Sequence, residues 1–437
     1  MLGLVAVVLL ATGLPAFMAL IGVAVLFSLL GVATGSFGYH LLTALPFRVV
    51  GLLENDLLQA LPLYVFMGAL LNRLPLADIL FRTGCAALAR TPAAPLLSAL
   101  GLGAILAPMN GSVGASVATL SRIVAPRLRQ RGVAAERSLA VVCVASTLGV
   151  VVPPSLVLIL LADAMMRAHT EAINATGLLT RVVNTEDIFH GALLPAGLFL
   201  VLCSLLGWRL GRRDARAAAT PPAAPVEWLI SGVTVAFILG LLASVAAGYL
   251  YAVEAAAAGA VALTLFGAAT RTLRGHVLAA ALRDTMAVTG ALFALLVAAT
   301  SFTLVFRAFE TDRLLADLIT AMPGGGPGAV VAVLLLIGLS AFVLDAFEII
   351  FVIVPLAMPP LLMRAPDAVW VSVLTLLALQ ASFLIPPVGY AVMMARTAMP
   401  QTVPTAALAR SLLPFLALQL LVLALTAIIP ALTHVLP

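Results

Sequence analysis

Long apolar runs dominate this chain, and the short segments between them carry most of its charge. The runs fall at roughly 2–12, 14–33, 56–72, 95–121, 138–163, 189–208, 228–247, 250–268, 286–306, 327–360, 368–395 and 406–436. Roughly 20 apolar residues in a helix match the thickness of a bilayer core, so runs of this kind predict membrane-crossing helices. The opening MLGLVAVVLLATGLPAF has no positive residue before its apolar run, unlike a signal peptide, and reads as the first transmembrane helix. Some runs are too long for one crossing and contain Gly or Pro, which predicts hairpins or broken helices. The hydrophilic stretch 209–227 is the obvious linker, and it falls at the midpoint.

Two proline-proline bends sit at equivalent places in the two halves. ASTLGVVVPPS spans Ala145 to Ser155 and LQASFLIPPVG spans Leu379 to Gly389. Pro153 and Pro154 precede Pro386 and Pro387 by 233 residues, and the same offset carries Pro126 onto Pro359. A PP pair removes two backbone donors and breaks a helix. Inside a membrane such a break is tolerated only where the freed carbonyls are buried in protein or line a cavity. A repeated break therefore points to a transporter site at the midplane. The chain divides into a first repeat (1–208) with a hairpin at about 95–130 and a broken helix at about 138–163. After a cytoplasmic linker (209–227), the second repeat (228–437) has its hairpin at about 327–363 and its broken helix at about 368–396. Beyond the bends the offset drops from 233 to 219, placing about 14 extra residues in a loop from Arg167 to His190, a plausible docking surface or a tolerated insertion.

Composition agrees: 63% of residues are hydrophobic, 9% are charged and the mean hydropathy is +1.20, which excludes a soluble domain. The alternating ten-residue segments of an outer-membrane barrel are absent. The pI of about 9.6 does not imply nucleic-acid binding, because the basic residues are spread over short loops. All 23 basic residues are Arg. If 95–121 and 327–360 are re-entrant hairpins, 17 of the 23 Arg fall on one side, in 73–90, 122–137, 209–226, 271–284 and 396–410. That side is cytoplasmic by the positive-inside rule, and both termini then face outward. An odd number of crossings per half makes the repeats inverted. Cys85, Cys143 and Cys203 stand singly and read as packing residues, with no disulfide or metal spacing.

Two constellations carry candidate chemistry. The first is MNGSVGAS (Met109 to Ser116) with the ASTLG before the first bend. Small amide and hydroxyl residues at a hairpin tip, together with carbonyls freed by a broken helix, offer neutral oxygens to Na⁺. Half-helix N-termini offer N–H groups to a carboxylate. The competing reading is close helix packing by small residues. The second is Asp345 and Glu348 in SAFVLDAFEIIFVIVP, acidic residues at membrane depth. A proton relay and a backbone cap at the hairpin tip are both open, the cap being favoured. Glu254 and Asp163 read as caps or interface residues. There is no HExxH, GxSxG or Walker A sequence, so nothing points to an enzyme or an ATPase.

GLPAF, PLYVFMGALL (Pro62 to Leu71), NGSVGAS, ASTLGVVVPPS, LDAFEI, IPPVG and LLPFLALQLL together resemble the large membrane subunit of tripartite ATP-independent periplasmic (TRAP) transporters, across essentially the whole chain. The resemblance implies an all-α polytopic protein with the elevator-type ion transporter fold, in a bacterial inner membrane. It also implies a separate small four-helix membrane subunit and a soluble periplasmic binding protein that delivers the substrate. No cofactor is implied beyond Na⁺ as coupling ion. Carried over by motif, the first sodium site falls at Asn110, Gly111, Ser112 and Gly114 with Ser146, Thr147 and Gly149. The second would involve Ala341, Asp345, Ser382, Leu384, Ile385 and Pro386. There the family pattern is broken, with Ile385 where a Thr is usual and Ala341 where Gly is frequent. The substrate, a small carboxylate of the α-keto acid kind by analogy, would lie between the hairpin tips near Asn110, Ser112, Ser155, Asp345 and Glu348. A self-sufficient Na⁺- or H⁺-coupled carrier of the same fold and an uncoupled channel-like protein are the rival readings.

Overall fold

The computed structural model describes all residues except 55, 111, 154, 178–180, 214–222, 399–402 and 435–437. Helices and turns account for it, with no strand among the described residues. In the first half run α1 (Leu2–Thr12), α2 (Ala16–Ala33), α3 (Leu45–Leu53), α4 (Asp56–Arg73) and α5 (Leu76–Ala87). They are followed by α6 (Ala94–Leu106), α7 (Val113–Gln130), α8 (Ala135–Val151), α9 (Leu156–Thr176) and α10 (Thr185–Arg213). The second half begins with α11 (Pro225–Ala246), α12 (Ala252–Ala269), α13 (Gly275–Ala308), α14 (Thr311–Ala321) and α15 (Gly325–Ser340). Then come α16 (Ala346–Glu348), a π turn (Ile349–Ile353), α17 (Val354–Leu362), α18 (Ala368–Phe383), α19 (Tyr390–Ala398) and α20 (Thr405–Ile428).

Six helical segments among the described residues are long and apolar enough to cross a membrane, or seven if the bent pair Leu45–Leu53 and Leu58–Arg73 counts as one. The stretch 2–12 is not one of them. Gly13, left-handed at φ 64°, and Pro15 end α1 after 11 residues, a length of about 16 Å, so the first long apolar helix is α2. Three further corrections concern polar segments. The expected loop from Arg167 to His190 is helical as far as Thr176, because MMRAHTEAINAT is rich in good helix formers and stops only at Gly177, φ 67°. Asp163 lies within α9 and pairs with Arg167 one turn on, so it caps no helix end. The expected linker 209–227 is also shorter at both ends, since α10 runs to Arg213 and α11 starts at Pro225, while 214–222 lies outside the described residues. Glu254, by contrast, does cap: its carboxylate accepts the Tyr251 N–H at 2.9 Å.

The centre of the molecule is built from α8 and α18, which pack against each other and are apolar on every face. A helix of that kind must be enclosed by protein or lipid, and from Ser138 to Val151 every residue of α8 is buried. Around this pair sit α6, α7, α10, α15, α19 and α20. A second group, α2, α4, α12 and α13, packs mainly within itself and meets the first group where α4 touches α9 and α13 touches the π turn. Exposed aliphatic side chains such as Val233 and Leu239 on α11 and Val261 and Leu265 on α12 suit a lipid or partner-helix environment. Three short helices, α3, α5 and α14, lie between the long ones and bring Arg48, Asp78 and Arg313 to the ends of the bundle.

Candidate functional site

Residues 107–112 join α6 to α7, which pack against each other as the arms of a hairpin. The turn closes locally, with the Asn110 N–H donating to the Leu106 carbonyl at 3.1 Å. Ser112 then caps α7, its Oγ accepting the Ala115 N–H at 3.2 Å. Such a cap satisfies one of the orphan donors at a helix start and fixes where the tip ends. Two glycines seat the hairpin on α8. A Cβ on Gly103 would stand 2.5 Å from the Ala145 carbonyl oxygen, and one on Gly149 would stand 2.5 Å from the Ala107 oxygen. Only a residue without Cβ allows backbone to meet backbone this closely.

That contact creates a closed pocket too tight to admit a water molecule, lined by Ala107, Pro108, Ser112, Ser146, Gly149 and the start of α9. Three of the residues expected at the first sodium site, Ser112, Ser146 and Gly149, are thereby brought together. Thr147 is buried beside them on α8, its hydroxyl donating to the Val144 carbonyl at 3.0 Å. Gly114 faces elsewhere: a Cβ there would meet the Tyr390 hydroxyl at 2.9 Å, so this glycine admits the second half of the chain against α7. Gly111 lies outside the described residues, as does Pro154 of the first bend. Ser155 is a helix cap, its buried Oγ accepting the Leu158 N–H at 3.1 Å.

Asn110 and Ser112 also line a cavity of about 360 Å³ on the other side of the tip. Asn110 is 6% exposed, its Nδ2 donates to Ser116 Oγ at 3.3 Å, and its Oδ1 has no hydrogen-bond partner among the described residues. A buried amide oxygen left open is costly unless something fills the place. Phe347, from the second hairpin, closes the same cavity. Polar walls come from α4, α7 and α13: Asn72 accepts from Thr119 through its side chain and from Arg122 through its carbonyl at 2.6 Å, and Arg73 pairs with Asp284. The Asn72 contacts tie α7 to α4 of the second helix group, and Arg127 of α7 pairs with Asp78 of α5 beyond them.

The second half is arranged differently. Helix α15 ends at Ala341, whose N–H bonds the Ile337 carbonyl at 2.9 Å. The chain then unwinds to Asp345, which caps α16: Asp345 Oδ1 accepts the Ala346 N–H at 2.7 Å and Glu348 Oε2 accepts the Asp345 N–H at 2.9 Å. Both carboxylates are thus engaged with backbone at the hairpin tip. Ser382 is buried, donates to the Ala378 carbonyl at 2.8 Å, and approaches Gly338 of α15. Leu384 and Ile385 bond back to Ala381 and Ser382, and the Pro386–Pro387 peptide is cis. A Cβ on Gly389 would stand 2.5 Å from the Phe383 carbonyl oxygen, so the bend is as tight as the first hairpin's seat.

Gln380 is not among the expected site residues. It is fully buried on α18, and neither its Oε1 nor its Nε2 has a partner among the described residues. It stands 233 residues after Thr147, so the offset that matches the two bends already points to it.

The whole fold has known counterparts. The family model of the tripartite ATP-independent periplasmic transporter, DctM component, matches residues 3–432. The C4-dicarboxylate TRAP transporter large permease protein DctM of Pseudomonas aeruginosa is 24% identical over 398 residues, covering 88% of this chain and 87% of that one. Among solved structures, the Alcanivorax borkumensis YdaH transporter, described as having an unusual topology, superposes with a TM-score of 0.65 at 16% identity. That match covers 90% of this chain and 88% of the other, and it speaks for the fold alone. With the helical architecture and a family match over nearly its full length, the chain belongs to the DctM component family of tripartite ATP-independent periplasmic transporters.

Proposed function

We propose that this chain is the translocating subunit of a secondary transporter that couples Na⁺ entry to uptake of a small organic acid. The observation that carries this reading is the hairpin tip at 107–112. On one side it closes a tight pocket with Ser112, Ser146 and Gly149, and on the other it presents Asn110 to a cavity large enough for a small acid. Neutral oxygens in a dry pocket suit a dehydrated monovalent cation. The N–H groups around Ser112, at the start of α7, suit a carboxylate. Cation and anion then flank one turn of backbone, so each lowers the cost of burying the other, which is the physical basis of coupling.

The remaining parts of the reading rest on family membership. A separate small membrane subunit holds the outer helix group, and a periplasmic binding protein hands over the substrate. The chain spans the inner membrane of a bacterium with both termini outside. The two inverted halves (1–208 and 228–437, joined through 209–227) move the tips relative to α4 and α13. In this orientation Arg73, Arg122 and Asp284 mark the cytoplasmic end, and the cavity containing Asn110 opens there. The second sodium site is reduced: Ala341, Ser382, Leu384, Ile385 and Pro386 offer carbonyls and one hydroxyl, and the Gln380 amide supplies the oxygen that the missing Thr does not. Asp345 and Glu348 act as caps.

Sodium binding is measurable without transport. A ligand that binds only the folded state at 100 times its dissociation constant adds about 2.7 kcal/mol of stability. Thermal unfolding of the purified chain should therefore shift upward by several degrees in NaCl relative to choline chloride. Replacing both Ser112 and Ser146 with Ala should lower the transition in choline, because the Ser112 cap is lost, and should abolish most of the further rise in NaCl. An identical shift in the double variant would move the ion elsewhere.

A further inference from the structure

A second cavity, of about 340 Å³, opens between α3, α9, α13 and α17, and the hairpin tips take no part in it. Three arginines line it, Arg48, Arg167 and Arg307, against two carboxylates, Asp163 and Glu171. The formal excess is one positive charge, on walls that include the apolar Leu296, Ala299, Ile350 and Phe351. Two of the arginines are committed. Arg167 pairs with Asp163. Arg307 pairs with Glu171 at 3.0 Å and donates to the Pro355 carbonyl at 3.2 Å. That carbonyl is available because the residue one turn on is Pro359, which has no N–H to offer it. Arg48 is different: it is exposed, lines the cavity, and makes no hydrogen bond or ion pair among the described residues.

The position matters as much as the charge. Leu292 of α13 lines the cavity at Asn110, and Leu296, one turn further, lines this one. On the opposite wall Phe347 belongs to the first cavity and Ile350 to the second. The two spaces thus follow one another along α13, where Leu292 and Leu296 are about 6 Å apart along the helix axis. Arg48, Arg167 and Arg307 all fall in segments that the arginine distribution places on the outer face, whereas Arg73 and Arg122 fall in the inner ones.

We propose that this outer cavity is a second carboxylate-binding site, a vestibule in which Arg48 receives a small carboxylate before it reaches the hairpin tip. The proposal rests on the transport reading above only for the direction of travel; the site itself stands on its own residues. A free guanidinium binds one carboxylate through two parallel N–H donors. The aliphatic walls accept the carbon chain, and Thr300 and Thr303 lie within the same lining.

The three native cysteines are fully buried, so a thiol placed in the cavity reports on it against little background. Thr303→Cys in the full chain, in phosphatidylcholine nanodiscs, is to be labelled with an anionic and a cationic methanethiosulfonate, each rate normalised to its reaction with a free thiol. The anionic reagent should be favoured by at least about threefold, as expected for a cleft whose one unpaired charge is positive. Millimolar succinate should slow it. Arg48→Gln should remove most of the preference and the protection, and Arg48→Lys should keep part of both. Equal rates for the two reagents, or labelling indifferent to succinate, would overturn the proposal. A preference or protection that appears only with added phosphatidylglycerol would overturn it too, by assigning the guanidinium to lipid phosphate. Lost uptake with succinate protection intact points to failure at the hairpin tip; lost protection with uptake intact refutes the vestibule alone.

Discussion

Replacing Asn110 with Ala is expected to reduce uptake by between one and two orders of magnitude while the protein still reaches the membrane in normal amounts. A hydrogen bond to a charged group contributes about 1.5–3 kcal/mol, or roughly 10- to 100-fold in an equilibrium. Among the described residues the Asn110 side chain makes one hydrogen bond, to Ser116 at 3.3 Å, and the backbone bonds of the turn survive its truncation, so its removal takes little from stability. The Asp variant separates its two possible roles. Asn110→Asp keeps an oxygen for a cation but sets a negative charge against a substrate carboxylate. The KM for the acid should therefore rise more than in Asn110→Ala, and the sodium dependence should change little. An Asp variant with normal KM and altered sodium dependence would make Asn110 an ion ligand only. Uptake is to be measured over a range of acid and Na⁺ concentrations for all three proteins.

Gly149→Ala is expected to strike the proposed ion pocket directly. Its Cβ would stand 2.5 Å from the Ala107 carbonyl oxygen and 2.6 Å from the Ala107 carbonyl carbon. Both are backbone atoms of the hairpin, so no side chain can swing away. Overpacking of this kind costs about 1–3 kcal/mol when the backbone gives way. The backbone that gives way here is the wall of the proposed ion pocket, so half-saturation by Na⁺ should rise at least about tenfold. Gly197→Ala is the control, because nothing lies within 4 Å of the added methyl group. There Ala should be neutral or slightly stabilising, as in any open helical position. Comparable sodium dependence in the two variants would show that the α6–α8 contact does not shape the ion site.

Much of this site is legible in the sequence because proline and glycine act locally. Helix α8 stops at Val151 and α18 at Phe383, just before the PP pairs that begin at Pro153 and Pro386, whereas Pro359 and Pro360 stay inside α17. Features that arise from tertiary contact are not legible in this way. Gly114 reads as a ligand beside Ser112, yet only the packing of α19 on α7 shows that it makes room for Tyr390. Arg48, Arg167 and Arg307 come from three distant segments and look like ordinary loop charges until α3, α9 and α13 bring them to one cavity. The short amphipathic helices α3, α5 and α14 are hidden for another reason. Each has at most 12 residues, too few to cross a membrane alone and marginal as an isolated helix. Gln380 lies between these cases: its burial is a tertiary fact, but its relation to Thr147 is written in the offset of the repeat.

Coupling of substrate to sodium is tested most directly in proteoliposomes containing this chain, its small membrane partner and the substrate-loaded binding protein. An imposed inward Na⁺ gradient should drive accumulation of the labelled acid above equilibrium, and replacing external Na⁺ with choline should stop it even with a proton gradient present. Accumulation that persists without Na⁺ and collapses when the proton gradient is dissipated would contradict the proposed sodium pocket at Ser112, Ser146 and Gly149 and favour the proton-relay reading of Asp345 and Glu348.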